Sequence, residues 1–298
     1  MDELVTIIIP TYKNRGRLKG AILSALEQSY TNIEVIVVDD NKPESIERAS
    51  TEVVMGEFRE DKRVVYIQHP KNMNGAAARN TGIKASKGSF IAFLDDDDTF
   101  LPQKIEKQVY YLNEHPNVEA VYCFAGRKGK RYGDSNYEGN VTKELLMLQT
   151  CMYTPTLMFR RDSLLAINGF DETFRRNQDY DLLLRFFHAG YKIGCLQEIL
   201  SEIGTNEGEN ALSGEKLEET KKYFFEKFQP YIREIDKTNP GFKNKVFAKH
   251  YAGVFLTQAK TGNFKMALSD FRYFIKAPVV FCRVLMSSIK QHLKGSYK

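Results

Sequence analysis

Asp95-Asp96-Asp97-Asp98 is the densest concentration of potential chemistry in the chain. It follows directly on the apolar run Phe90–Leu94, so the four carboxylates are predicted to leave a buried strand together. Packed that closely they repel one another and raise each other's pKa, a cost that a divalent cation removes. Carboxylate oxygens are hard ligands suited to Mg2+ or Mn2+, which keep coordination positions open for substrate phosphates. Such a cation bridges a diphosphate and stabilises the charge that builds up as it departs. The plain alternative is a solvated acidic turn. Two more polar clusters stand in the same relation to apolar runs. Pro10-Thr11-Tyr12-Lys13-Asn14 follows Val5–Ile9, and Asp39-Asp40-Asn41 follows Val35–Val38.

The elements that must position these clusters are legible from hydrophobic patterning. Val5–Ile9, Val35–Val38, Val64–Ile67 and Phe90–Leu94 are β-branched or aromatic runs without strict alternation, bounded by Pro, Asp, Asn and Gly, as buried parallel strands are. Helical patterns separate them: Leu18, Ile22, Ala25 and Leu26 recur at helical spacing over Leu18–Leu26, and Ala76–Ala85 is a second helix. The alternation predicts an α/β fold with a Rossmann-like, doubly wound sheet. Sheets of this type bind ligands beyond the carboxyl ends of their strands, so the three clusters are expected to converge on one crevice. No G-x-G-x-x-G and no G-x-x-x-x-G-K-[ST] occurs, which excludes the dinucleotide fingerprint and the P-loop. Further on, Val118–Phe124 reads as a strand and residues 126–140 as a polar loop over the crevice. Asp179–His188 reads as a helix with Leu182, Leu183, Phe186 and Phe187 on its apolar side. Residues 215–298 read as mostly helical, with stops near Pro230, Pro240 and Gly262.

Of the 298 residues 42% are hydrophobic and 27% charged, enough for one large catalytic domain, residues 1–215, and a helical extension, residues 216–298. Cys123, Cys151, Cys195 and Cys282 lack metal-site spacing and are expected as reduced thiols. The N-terminus lacks the basic and apolar regions of a signal peptide, and no apolar run reaches the roughly 18–20 residues of a membrane span; a cytoplasmic location is expected. Residues 221–298 hold 16 Lys/Arg against 4 Asp/Glu, a net of +12 in a chain of +5 overall, which leaves −7 for the rest. Within that basic end, Phe281, Val284, Leu285, Ile289 and Leu293 fall along one helical side and Arg283, Lys290 and Lys294 on the other. This is the pattern of an interfacial helix on an anionic membrane surface, or of a helix docked by its apolar stripe on the protein itself. Nucleic acid is not expected as a partner, because no recognised binding motif accompanies the charge.

Four segments, VTIIIPTYKNRGRLKGAILSALEQSY, IEVIVVDDN, NGAAARNTGIKASKGSFIAFLDDDD and NGFDETFRRNQDYDLLLRF, together resemble the family-2 glycosyltransferases, in the expected order and over roughly residues 4–200. The resemblance implies a GT-A fold and an inverting, metal-dependent transfer of a sugar from a nucleotide-sugar donor, of the UDP class, to a glycan or lipid-linked acceptor in surface polysaccharide biosynthesis. It places Pro10, Thr11 and Tyr12 in the base and ribose pocket and assigns Asp40, or its neighbour Asp39, to the nucleobase. It puts Arg79 near the diphosphate. Asp95-x-Asp97 matches the metal-binding D-x-D, with Asp97 the direct ligand of Mn2+ or Mg2+ and Asp95 and Asp96 on the donor side. Asp179, in QDYD, matches the general base. The roles suit the chemistry of direct inversion: one carboxylate takes the acceptor hydroxyl's proton while cationic groups stabilise the leaving diphosphate on the opposite face.

Plainer roles exist for the same residues: first-turn or N-cap residue for Asp179, loop brace for Asp39, ion pair for Arg79. The chain departs from the family pattern in Gln178, where Glu is common, and in Asn168-Gly169-Phe170, where the usual turn is GGF. It has no Trp, so the Q-x-x-R-W motif of processive synthases is absent and one sugar per encounter is expected. Asp95–Thr99 also spells D-x-D-x-T, which resembles the nucleophile motif of haloacid-dehalogenase phosphatases. A catalytically inactive nucleotide-binding partner of another glycosyltransferase is the non-enzymatic alternative.

Overall fold

The computed structural model describes residues 3–13, 16–133, 135–174, 177–204 and 213–295, with side chains through residue 287. Strands β1 (Val5–Thr11), β2 (Ile33–Asp39), β3 (Val64–Gln68) and β4 (Phe90–Phe93) lie parallel in the order β3-β2-β1-β4. Every residue of β2 and β4 is buried, as their apolar runs require of strands covered on both faces. Helices α1 (Leu18–Leu26), α2 (Ile46–Gly56) and α3 (Gly75–Ala85) make the crossovers. Ser45 caps α2 by accepting from the Arg48 amide, and Asn74, at φ +85°, caps α3 by accepting from the amides of Ala76 and Ala77. Four of the six buried residues of α3 are small: Ala76, Ala77, Ala78 and Gly82. They let it approach β1 so closely that a Cβ on Gly82 would lie 2.4 Å from Ile8 Cγ2.

The sheet then changes character. After β5 (Thr99–Phe100), α4 (Lys104–Glu114), β6 (Ala120–Arg127), β7 (Lys130–Tyr132) and α5 (Thr142–Leu146) come β8 (Leu157–Arg160), α6 (Arg161–Ala166), α7 (Gln178–His188) and β9 (Ile193–Glu202). Strand β8 inserts antiparallel between β4 and β6, β9 runs parallel to β6, and β5 closes the edge antiparallel to β9. The order is β3-β2-β1-β4-β8-β6-β9-β5, a mixed α/β sheet. The stretch 126–140, expected as loop, contains β7 paired on β6. Lys128 (φ +53°) and Gly129 (φ +71°) form the two-residue turn between them, a geometry that matches the strand twist.

The chain divides into two compact units, Met1–Thr142 with Thr150–Thr205, and Lys143–Gln149 with Asn206–Lys298. The second contains α8 (Gly214–Thr238), α9 (Phe242–Lys260), α10 (Phe264–Asp270), α11 (Arg272–Lys276) and α12 (Pro278–Gly295). Breaks fall at Pro240 and Gly262 as expected, but not at Pro230, which lies inside α8. Phe224, Phe225 and Phe228 before the proline and Ile232 after it form one buried stripe, and Phe225 stacks on Phe247 and Tyr251. This packing outweighs the roughly 3 kcal/mol that an interior proline costs. Phe281, expected on the apolar side of an interfacial helix, is fully buried among the rings of Phe255, Phe271 and Phe274. The side chains of Ile289, Lys290, Leu293 and Lys294 lie outside the described residues. No helix among the described residues is long and apolar enough to cross a membrane.

Substituting Gly82→Ala should destabilise the first unit by about 1–3 kcal/mol through overpacking against Ile8, read as a lower thermal unfolding midpoint. An unchanged midpoint would show that β1 and α3 can separate without cost.

Candidate active site

The carboxyl ends of β1, β2 and β4 are tied to one another by their own polar groups. Thr11 Oγ1 donates to Asp96 Oδ2 at 2.6 Å, and the Asp40 amide donates to the Thr11 carbonyl at 2.9 Å. Asn41 Oδ1 accepts from the Lys13 amide at 2.8 Å, which holds the loop after β1 against the end of β2. Tyr12 projects from that loop, 46% exposed, with the Lys13 ammonium 5.3 Å from its ring centre.

The acidic run turns sharply, the Asp98 amide donating to the Asp95 carbonyl at 3.1 Å. Each carboxylate has a separate neighbour. Asp95 accepts from Arg79 Nη2 at 2.6 Å; Asp97 lies 3.8 Å from Arg17 Nη1; Asp98 accepts from the Gly204 amide at 2.7 Å. Gly204 must be glycine, since a Cβ there would lie 2.2 Å from the Asp97 carbonyl oxygen. Burial pushes the Asp96 carboxyl up to about 6 against the Thr11 hydrogen bond, with the charges of Asp95 and Asp97 adding to the rise. Burial likewise raises Asp98, again reinforced by the neighbouring aspartates. Ionising these buried carboxyls is therefore costly, a cost that a bound cation would relieve. Among the described residues no three His, Cys, Asp or Glu side chains gather around one point. The donor set fits a hard cation held by one or two carboxylate oxygens and completed by substrate phosphates and water, the habit of Mg2+.

Asp39 and Asp40 spend their carboxylates on the protein itself. Asp39 is fully buried; its oxygens accept from the Asn41 amide (2.9 Å), Asn41 Nδ2 (2.8 Å) and the Tyr66 hydroxyl (2.6 Å). Arg48 Nε is 3.1 Å from Asp39 Oδ2, an ion pair outside hydrogen-bond geometry. Asp40 accepts from Asn72 Nδ2 and the amides of Met73 and Asn74 at 2.7–2.8 Å, and faces His69 Nδ1 at 2.8 Å. Of the pair expected at the nucleobase, Asp40 holds the 69–74 loop that leads into α3, and Asp39 braces the end of β2 against Asn41, Tyr66 and Arg48.

Arg79, on α3, joins the acidic turn to α7. Its Nη1 donates to Gln178 Oε1 at 3.0 Å while Nη2 holds Asp95; its Nε is buried without a partner, and the guanidinium packs 5.5 Å from the centre of the Phe170 ring. Gln178 opens α7 after Asn177, which adopts a left-handed conformation (φ +53°) and gives no side-chain cap. Asp179 is therefore in the first turn rather than at the N-cap, half-buried, with the Tyr180 amide donating to its Oδ1 at 3.0 Å. Burial pushes its carboxyl up to about 6, against the Tyr180 amide and the Arg79 charge, which favour the ionised form. A carboxylate poised there can take a proton near neutral pH.

Sequence reasoning missed several supports. Asn80 clasps the Asn168-Gly169-Phe170 turn, accepting from the Phe170 amide and donating to its carbonyl, both at 2.8 Å. A Cβ on Gly169 would lie 2.4 Å from Asn80 Oδ1, so the glycine that NGF shares with GGF is the one the clasp needs. Arg48 donates to the carbonyls of Asn41 and His69 from a buried position. Only a charged residue inside an amphipathic helix pattern could have signalled it.

A mixed sheet of this order, with polar side chains gathered at the ends of β1 and β4, is a GT-A fold. The solved structure of S. aureus TarS residues 1–349 in complex with UDP-GlcNAc shares the fold with a TM-score of 0.67 at 17% identity, covering 94% of this chain and 83% of that one. The chain belongs to glycosyl transferase family 2, whose family model matches residues 6–197. An uncharacterised glycosyltransferase of Haemophilus influenzae is 30% identical over 188 residues, 61% of each chain. One of Methanocaldococcus jannaschii is 27% identical over 232 residues, 75% of this chain and 79% of its own. One of Rickettsia felis is 32% identical over 214 residues, 70% of this chain but 34% of its own. The chain thus spans less than two thirds of the H. influenzae and R. felis relatives. Membership removes the phosphatase reading of Asp95–Thr99.

Asp40→Ala leaves several buried donors around residues 69–74 without an acceptor, at about 1–3 kcal/mol each. The variant should lose at least about 3 kcal/mol in urea unfolding; wild-type stability would show that Asp40 does not organise the loop.

Proposed function

We propose that the chain transfers one sugar per encounter, with inversion, from a UDP-sugar to a hydroxyl of a glycan or lipid-linked acceptor, in the building of a surface polysaccharide. The observation that carries the reading is Asp179: a half-buried carboxyl held up to about 6, one residue from the glutamine that holds Arg79. Asp179 takes the proton of the acceptor hydroxyl, the hydroxyl oxygen forms a bond to the anomeric carbon, and the bond from that carbon to the diphosphate oxygen breaks. Arg79, with an unpaired Nε, is placed to balance charge on the departing diphosphate. Asp97 is the residue to hold Mn2+ or Mg2+, which when bound neutralises the diphosphate oxygens. Pro10, Thr11 and Tyr12 line the nucleoside side, Tyr12 with an exposed ring; Asp95 and Asp96 stand between nucleoside and diphosphate. Asp39 and Asp40 shape that pocket from behind. The complexes of TarS with UDP-GlcNAc and UDP support the choice of UDP.

The second unit supports a position at the cytoplasmic face of the cell membrane. Phe264, Leu268, Ile275 and Val279 are 62–78% exposed along three consecutive helices, and Lys265, Arg272, Lys276 and Arg283 are exposed among them. An apolar surface interleaved with cations fits an anionic lipid interface. These residues, rather than the Phe281 stripe, are the ones to dip into it.

Asp179→Asn should retain UDP binding, read as thermal stabilisation by UDP with Mn2+, and lose about 100- to 10,000-fold in transfer. In the wild type, the base works only when ionised, so transfer should fall about tenfold per pH unit below about 6 and level off above it. Equal transfer by wild type and Asp179→Asn would overturn the assignment.

Vesicles rich in phosphatidylserine should sediment the wild-type chain, and Lys265→Glu with Lys276→Glu should abolish this. Equal sedimentation of both proteins would refute the lipid surface. Self-association without vesicle binding would assign the face to a second copy.

A further inference from the structure

The β6–β7 hairpin reads Arg127-Lys128-Gly129-Lys130-Arg131-Tyr132, four cations in five positions with no acid among them. Pairing decides which of them share a face. Arg127 is opposite Lys130 and Ala125 opposite Tyr132, while Gly126 is opposite Arg131. Directly paired residues point the same way and the side alternates along the strand, so Arg127, Lys130 and Tyr132 share one face and Arg131 takes the other. The side chains agree. The Arg127 guanidinium packs 5.3 Å from the centre of the Tyr132 ring, and Arg131 lies 3.5 Å over Phe124. Tyr132 stacks in turn on Tyr153, ring centres 5.5 Å apart and planes inclined by 28°. Glu202, the nearby acid, abuts Gly126 on the opposite face.

The base of the hairpin adjoins the candidate active site. There the Ile203 amide donates to the Gly126 carbonyl at 2.9 Å, and the next amide, of Gly204, donates to Asp98. On the other side of the Tyr132–Tyr153 stack, the charge of Tyr180, the residue after the proposed base, acts weakly on the Tyr153 hydroxyl. The hairpin therefore stands beside the aspartate turn, within the neighbourhood in which an acceptor has to lie. Arg127 Nε is buried there without a hydrogen-bond partner. A guanidinium oriented against an aromatic ring, with a lysine beside it, is preorganised for a phosphate or carboxylate.

We propose that Arg127 and Lys130, supported by the Tyr132–Tyr153 stack, form an acceptor subsite, and that the acceptor is an anionic saccharide carrying a phosphate or carboxylate near the hydroxyl that is glycosylated. This rests on the glycosyltransferase reading of the Asp179 site. Tyr132 and Tyr153 are positioning residues, acting through the guanidinium they support.

Calorimetric titration of the full chain with trigalacturonate, phosphorylated maltotriose and neutral maltotriose tests it. At least one anionic trisaccharide should bind about tenfold or more tightly than maltotriose, the tighter of the two identifying carboxylate or phosphate as the charge recognised. Arg127→Gln with Lys130→Gln should erase that preference; Lys130→Glu, on an exposed strand end, should reverse it without endangering the fold. Equal binding of charged and neutral sugars by the wild type, or a preference that survives the double substitution, would overturn the subsite. The donor site is read separately, by unfolding of the wild type with UDP and Mn2+. A chain that discriminates sugars by charge but is not stabilised by UDP would sink the glycosyltransferase reading and leave an anionic-saccharide site without an acceptor role.

Discussion

Six aspartates meet at the carboxyl ends of β2 and β4, and keeping so much negative charge out of water is the constraint around which the first unit is arranged. Each carboxylate is answered from a different element. Arg48 and Tyr66 face Asp39, the 69–74 loop wraps Asp40, and Thr11 holds Asp96. Arg79 holds Asp95, and the Gly204 amide holds Asp98. Ionised groups buried with too few donors are strongly destabilising. The strand ends, two crossover loops and the end of β9 are therefore committed to their positions by charge as much as by apolar packing. The raised pKa values of Asp96 and Asp98, caused first by burial and then by the neighbouring aspartates, mark where that compensation is incomplete.

Arg79 links the aspartate turn to α7. It binds the turn with one amino group and the first residue of α7 with the other, so Asp95 and the start of the helix that carries Asp179 are set by one guanidinium. A glutamine at 178 changes its electrostatics. Glutamate there would pair a second negative charge with Arg79, whereas the neutral Gln178 accepts the same hydrogen bond without offsetting the guanidinium's charge. The departure at Asn168 has a local reason too: Asn168 and Gly169 both lie at positive φ, a conformation asparagine tolerates better than most residues. The Asn80 clasp then holds the turn whether the first residue is Asn or Gly.

The hairpin of β6 and β7 and the helices of the second unit show charge used differently. In the hairpin, alternation along a strand separates Arg127 and Lys130 from Arg131, so a basic run of sequence becomes two faces with different surroundings. In the second unit the cations stand among exposed apolar side chains on α10, α11 and α12, while the aromatic residues that fill the helical core, Phe225, Phe247, Tyr251 and Tyr273, stack on one another. A net charge of +12 over residues 221–298 says that the surface is basic. Which apolar residues accompany it is a matter of helix packing.

Local patterning determined the parallel half of the sheet. Runs such as Ile7–Ile9 and Val35–Val38 can be satisfied only by burial on both faces, α1 spans the predicted Leu18–Leu26, and the acidic run had to emerge where β4 ends. The antiparallel insertion of β8 between β4 and β6, and the gathering of residues 143–149 into the second unit, were not legible, because both arise from contacts between segments far apart in sequence. Pro230 stays inside α8 because the aromatic stripe around it outweighs a local helix breaker. The same distinction separates the aspartates. Residue type and position at strand ends brought Asp39, Asp40, Asp95, Asp96 and Asp97 to one end of the sheet. Only the tertiary structure turned Asp39 and Asp40 inward toward Arg48, Tyr66, His69 and the 72–74 loop, because the groups that hold their carboxylates come from segments distant in sequence.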